Sequence, residues 1–369
     1  MSFSGYEHTA FASTDALRIG YFPNITHAPA VIGMDNGDFQ KKLGDVNIKT
    51  QVFNAGPAEM EALFANQIDV AYVGSGPAIN AYVKSDGDLR IISGVASGGA
   101  SFVVRNDAGI QSTKDFVGKK FSSPQLGNTQ DIALRMYLLN NGYKTADNGG
   151  SVTVMPASNP DIVILFLKKD IDGAWVPEPW ATKLVDEANG KIFVDERDLW
   201  AGGKFVTTNI VVRTEYLKEH PDVIKKLLDA NVDEITRINK NPEQARQAFN
   251  SALEKLTGKT IPDKELKEAF SKLELTYDPI ASSLYKSANN AYQLGFLDSK
   301  PDLSGIYDLS LLNQVLDEKG LAKVSDNSPT IVSGNNAVPE FGPVAPIILV
   351  IAIISTVVIT AKSKGIPKL

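Results

Sequence analysis

Two short runs bring neutral hydrogen-bonding side chains together beside prolines. Asn24, Thr26 and His27 stand in YFPNITHAP, and Gln125, Asn128 and Thr129 in SSPQLGNT. Ser75 and Gly76 follow in VGSGP, Ser97 in VASGG, and Glu178 and Trp180 in VPEPW. No Lys or Arg lies in these stretches. Hydroxyls, amides and free N–H groups at helix starts hold an oxyanion without a formal counter-charge. Each hydrogen bond to a charged group contributes about 1.5–3 kcal/mol net. Four or five of them support a micromolar complex, about -8 kcal/mol, after the entropic cost of association.

Each residue also has a plainer role open to it. Thr26 and Asn128 have the chemistry of helix caps. Trp175 and Trp180 wall a site or fill a core. His27 donates to an anion or makes a structural hydrogen bond. Glu178 is the odd member, because an unpaired carboxylate facing an anion is costly. Either the ligand carries an N–H or ammonium group, or Glu178 accepts from protein amides. Asn24-Ile25-Thr26 is a glycosylation sequon, but a glycan there blocks the cleft, so none is expected.

Catalytic signatures are absent. There is no G-x-S-x-G elbow, no H-E-x-x-H and no complete phosphate loop. Gly258-Lys259-Thr260 lacks its upstream glycine, since Leu253 stands there. Ser75 has no histidine nearby in sequence, so a turn or ligand-contacting serine is the better reading. The chain has no cysteine and three scattered histidines, His8, His27 and His220. Disulfides, thiolate chemistry and Cys-ligated zinc are excluded, and neither a metal nor a cofactor is expected. A net charge of -6 argues against a nucleic-acid surface.

At 369 residues the chain suits more than one domain. From Ala16 onward short apolar runs alternate with helical stretches, the pattern of parallel α/β architecture. LRIGYF reads as a first strand, Pro57 to Asn66 as a helix, and Asp69 to Gly74 as a buried strand. QIDVAYVGSGP (Gln67 to Pro77) is echoed by DIDGAWVPEP (Asp170 to Pro179), and YFPNIT by SSPQLGNT. Two related lobes then present strand-end loops to each other, and ligands bind at the carboxyl ends of such strands. FVVR (Phe102 to Arg105) and IVVR (Ile210 to Arg213) read as crossover strands of a hinge or as two ordinary strands. After Thr214 the chain turns helical and packs on the first lobe. The expected layout is 15–104 and 211–324 for lobe 1, and 105–210 for lobe 2.

The ends carry a different message. Residues 344–361 form eighteen positions without a charge, enough at ~1.5 Å per residue to cross a bilayer, followed by Lys362, Lys364 and Lys368. The basic tail 362–369 is expected to stay cytoplasmic, placing the large domain outside the cell and tethered to its membrane. Residues 325–343 read as a flexible spacer. Residues 1–14, with Ala10-Phe11-Ala12, read as the remnant of a signal peptide.

The ordered set IGYFPNITHAPA, GPAEMEALFANQIDVAYVGSGPAINAYV, SSPQLGNTQDIALR, GAWVPEPWATKLV and DERDLW resembles the aliphatic sulfonate/nitrate/taurine substrate-binding family of ABC importers, from about Leu17 to about Leu321. The resemblance implies an α/β, two-lobed type II periplasmic-binding-protein-like fold with a two-strand hinge, here with a C-terminal transmembrane helix. It implies ligand contacts at Asn24, Thr26, His27, Ser75, Gly76, Asn128, Thr129 and Glu178. Ser75 departs from the pattern, since many relatives have proline there. The implied function is capture of a small anionic or zwitterionic sulfonate and delivery to a permease with its ATPase, without catalysis. Nitrate, bicarbonate or an aminopyrimidine are rival ligands, and a pyrimidine-synthesising enzyme of the same fold a more distant rival. VPEFGPVAP with the apolar span resembles archaeal PEF-type sorting signals, which implies an archaeosortase as processing partner.

Overall fold

The computed structural model describes residues 16–326. The expected signal remnant, nearly all of the spacer, the apolar span 344–361 with its sorting motif, and the basic tail lie outside the described residues. Among the described residues no helix is long and apolar enough to cross a membrane.

Along the chain, β1 (Leu17–Tyr21), β2 (Ile48–Val52), β3 (Val70–Val73) and β4 (Leu89–Gly98) come first. They are followed by β5 (Ala100–Arg105), β6 (Lys120–Pro124), β7 (Thr153–Ala157), β8 (Gly173–Pro177) and β9 (Gly190–Asp195). The chain then returns through β10 (Val206–Arg213) and β11 (Leu273–Leu275). One sheet has the order β11-β4-β10-β3-β1-β2, the other β7-β6-β8-β5-β9. Reading from the outer parallel strand inward, the sequences β2-β1-β3-β10-β4 and β7-β6-β8-β5-β9 have the same directions. The first two pairings are parallel and the last two antiparallel in both. The sequence echo of β3 in β8, and of β1 in β6, is therefore an echo of position in the sheet.

The helices are α1 (Ala28–Asp35), α2 (Asp38–Leu43), α3 (Gly56–Phe64), α4 (Ser75–Lys84), α5 (Thr129–Asn140), α6 (Asn159–Leu167) and α7 (Trp180–Asp186). After β10 come α8 (Thr214–Glu219), α9 (Pro221–Lys240), α10 (Pro242–Thr257), α11 (Asp263–Ser271), α12 (Ala281–Gln293) and α13 (Ser310–Glu318). Prolines at their first turns start α9 and α10, where a missing N–H costs nothing. Val223, Ile224, Leu227, Leu228, Asn231 and Ile235 line one stripe of α9. That stripe joins the core of the first sheet, as do Phe249, Leu266, Leu284 and Leu312 from later helices.

The second sheet is covered differently. Side chains alternate across a strand, so Phe102, Val104 and Trp175 enter one buried cluster while Val103, Ala174 and Val176 enter another on the opposite face. Phe102 stacks on Trp175 at 5.4 Å and meets Phe121 edge-on at 5.0 Å.

FVVR lies wholly within β5 of the second sheet and IVVR wholly within β10 of the first. Boundaries after residues 104 and 210 therefore cut through strands that the pairing keeps whole. The chain passes between sheets at Gly98-Gly99 and again through 196–205. Gly98 and Gly99 both have positive φ, 78° and 73°, which L side chains rarely adopt. A Cβ on Gly98 would sit 2.9 Å from the Lys272 carbonyl oxygen.

Candidate functional site

A small, partly open cavity lies where the strand-end loops of both sheets meet. From the first sheet come Phe22, Asn24, Thr26, His27, Asn54, Gly74, Thr207 and Thr208. From the second come Asn128, Thr129, Gln130, Asn159 and Pro177. None of these side chains is a carboxylate, ammonium or guanidinium. Five helices start at this rim: α1 just past His27, α3 just past Asn54, α4 after its cap Gly74, α5 at Thr129 and α6 at Asn159. Their first-turn amides lack intrahelical acceptors, and their dipoles point positive ends inward.

Local hydrogen bonds decide which groups remain to meet a ligand. Asn24 Oδ1 accepts from Trp180 Nε1 at 2.9 Å, and Asn128 Oδ1 from the Thr129 N–H at 2.9 Å. Both side chains have thus used an acceptor and retain NH₂ donors. Thr129 Oγ1 accepts from the Gly76 N–H at 3.1 Å, leaving its own hydrogen to donate. His27 is buried, its ring 4.4 Å from that of Phe22, and Nδ1 accepts from the Phe22 N–H at 3.3 Å. Burial pushes its pKa from 6.5 down to about 3. The ring is neutral with its proton on Nε2, a donor and not a cation. Thr208 Oγ1 is buried without a partner. Asn159 Oδ1, an acceptor, is likewise unpartnered.

The loop before α5 is held from below. Asp131, fully buried, accepts from Ser123 Oγ at 2.7 Å, from the Gly127 N–H at 2.9 Å and from Arg135 Nε at 3.1 Å. This network fixes Asn128 and Thr129 at the cavity while keeping the Arg135 charge away from it.

Contacts between the sheets hold the cleft closed. Besides the Gly76–Thr129 and Trp180–Asn24 bonds, the Ile25 N–H donates to the Glu178 carbonyl at 3.3 Å. A Cβ on Gly74 would lie 2.3 Å from Thr129 Oγ1, so only glycine permits this approach.

Of the eleven residues expected at the site, Asn24, Thr26, His27, Asn128 and Thr129 line the cavity. Gly76 borders it only through its bond to Thr129. Ser75 turns away, because its hydroxyl donates to the Val206 carbonyl at 3.0 Å. Ser97 is tied into β4 opposite Val206 and Glu274. Gln125 takes a left-handed backbone, φ 39°, and is replaced at the wall by Gln130. Glu178 contributes its backbone, while its buried carboxyl accepts from the Thr182 N–H at 3.1 Å. Burial raises that carboxyl from 4.5 to about 7. Trp180 lines a second, larger cavity next to the first. Sequence reasoning missed Asn54, Asn159, Thr207 and Thr208. Among the described residues no cluster of three or more His, Asp or Glu is arranged to hold a metal.

Comparison with known proteins adds a family. The model of the NMT1-like family matches residues 11–252. A Bacillus subtilis protein named for binding aliphatic sulfonates is 23% identical over 82% of this chain and 88% of its own length. The taurine-binding periplasmic protein of Escherichia coli is 25% identical over 58% of this chain and 64% of its own. The alkanesulfonate-binding protein of Xanthomonas axonopodis pv. citri, solved bound to MOPS, superposes with a TM-score of 0.67 at 16% identity, covering 79% of this chain and 98% of that one. These are binding proteins, not enzymes.

Proposed function

The chain belongs to the NMT1-like family, and from that premise we propose that it is the extracytoplasmic receptor of an ABC importer, closing its lobes on a small sulfonate. It is a binding protein and not an enzyme. The permease and ATPase of the importer are its partners. One observation supports the ligand reading: a polar cavity ringed by five helix starts and lined without a charged side chain, in which Asn24, Asn128 and Thr129 have each engaged an acceptor within the protein and keep a donor. A sulfonate offers three acceptor oxygens and one negative charge, matching that inventory. The acceptor Asn159 Oδ1 suits an amino group, as a taurine-like zwitterion would supply.

The receptor is tethered, in this reading, by the uncharged stretch 344–361, followed by three lysines. Mass spectrometry of the mature C-terminus separates an uncut anchor from sorting by an archaeosortase: an intact Leu369 end excludes cleavage. The ligand is tested by thermal shift of the full chain against taurine, alkanesulfonates, nitrate, bicarbonate and aminopyrimidines. A true ligand at 100-fold its Kd stabilises the protein by about 2.7 kcal/mol. Stabilisation by a pyrimidine or by nitrate alone, with no sulfonate active, overturns the sulfonate reading.

A further inference from the structure

Helix α5 belongs to the second lobe but packs on both. Leu134 and Leu138 enter the buried cluster that holds Phe102 and Trp175. Asn128, Ile132, Arg135 and Leu139 follow one another at helical spacing on a different stripe. Across the cleft α5 packs against α4 and α12 of the first lobe. Ile132 is buried in the hydrophobic core of the first lobe. Among the described residues it is the one member of that cluster drawn from positions 100–195. Its Cδ1 comes so close to the start of α4 that a Cβ on Gly76 would lie 2.9 Å from it.

The first lobe answers with Phe296, just past α12, which packs against the same core. Its ring centroid lies 6.0 Å from the Arg135 guanidinium. A Cβ on Gly127, whose φ is 76°, would stand 3.6 Å from that ring. Asp131 and Asp147 balance the Arg135 charge, accepting from it at 3.1 and 2.9 Å. Ile132, Arg135 and Phe296 all lie outside the lining of the polar cavity. Parting the lobes draws Ile132 out of an apolar core into water, which costs free energy whichever ligand is present. A ligand that binds the closed form gains apparent affinity in proportion to the fraction of receptor that is closed.

Resting on the closing-receptor reading above, we propose that Ile132 and Phe296 form an apolar clasp between the lobes, and that Ile132 is a positioning residue that sets ligand affinity without touching the ligand. The cavity donors decide which anion is held. The clasp decides how long the closed form holds it.

The test is calorimetric titration of the full chain with methane- and ethanesulfonate, with dissociation rates followed by stopped-flow tryptophan fluorescence. Ile132→Ala removes three carbons, each worth about fourfold when buried, so ethanesulfonate is expected to bind roughly 10- to 60-fold more weakly. The loss is expected in faster dissociation, with association little changed. The ratio of the two affinities is expected to stay within about twofold of wild type, because no cavity group is altered. Ile132→Leu, which keeps the volume, is expected to recover most of the loss. Phe296→Ala approaches the clasp from the other lobe at a partly exposed position, so it serves where Ile132→Ala fails to fold. It is expected to weaken binding about fivefold. Wild-type affinity in either alanine variant overturns the clasp. A changed ratio shows that Asn128 and Thr129 were disturbed, and overturns action through closure. Failure of the wild type to bind either compound removes the sulfonate reading instead, and the clasp's role in affinity with it.

Discussion

The two lobes share one strand plan but reach the cleft with unequal equipment. Asparagine stands at matched points in both. Asn24 and Asn128 follow the ends of β1 and β6, and Asn54 and Asn159 each lie two residues past the ends of β2 and β7. Beyond that shared set, the first lobe adds a neutral imidazole and the β10 threonines, while the second adds the α5 start. The cores differ more. Six helices after β10 bury the first sheet in one large cluster, whereas the second sheet is held by two small clusters, one of them centred on the aromatic rings of Phe102, Phe116, Phe121 and Trp175. The first lobe is a broad platform. The second is a compact unit joined to it by two strands of chain, suited to move as a body.

The sharpest way to break this contrast is to attack the aromatic cluster. Phe102→Ala is expected to cost about 3–5 kcal/mol, read by urea unfolding followed through the fluorescence of Trp175 and Trp180, both in the second lobe. A loss under 1 kcal/mol would show that the second lobe does not depend on that cluster. Next in size is closure. Gly74→Val places atoms where Thr129 approaches, and overpacking of about 1–3 kcal/mol is expected to weaken sulfonate binding by roughly 10–100-fold with little change in unfolding midpoint. Unaltered affinity would mean that ligand binds without the lobes meeting.

Smaller effects distinguish donors on the two sides. Thr129→Ala and Thr208→Ala are each expected to weaken binding by about tenfold. Thr208→Ala should leave the unliganded protein no less stable, since its hydroxyl has no partner to lose. Destabilisation of unliganded Thr208→Ala would contradict its assignment to the ligand.

The smallest effect is in pH. Burial raises Glu178, and Glu196 beneath Trp175, from 4.5 to about 7. A carboxyl that holds its proton more tightly when folded contributes stability that is fully present below about 4.5 and lost as pH rises through 7. His27, depressed to about 3, has the opposite sign, and its contribution fades only below 6.5. Between pH 6.5 and 8 the carboxyls act alone, so the melting midpoint should fall with rising pH, and less so in Glu178→Gln and Glu196→Gln. A midpoint that rises across this window would contradict the burial argument.

Much of this architecture was legible because strand periodicity and proline-led helix starts are local signals. The repeat in QIDVAYV and DIDGAWV identified equivalent central strands. Extending it outward to β2 and β7 would have found Asn54 and Asn159, which echo each other by position and not by neighbouring residues. Thr207 and Thr208 were hidden because a threonine pair inside VTTNIVVR reads as ordinary β-branched strand. Their place at the cavity comes from β10 returning to the first sheet after the whole second lobe. Ser75 looked like a ligand donor, yet its hydroxyl is claimed by the Val206 carbonyl from that same returning strand. Long-range pairing of this kind leaves no trace in local spacing.

The account rests on an anion held between the lobes by neutral donors. Titration of the full chain with ethanesulfonate, in wild type and in Thr208→Ala, tests it most directly. The expected result is a micromolar complex in wild type, about -8 kcal/mol, weakened about tenfold in the variant. No measurable binding by the wild type, or equal binding by the two proteins, contradicts it.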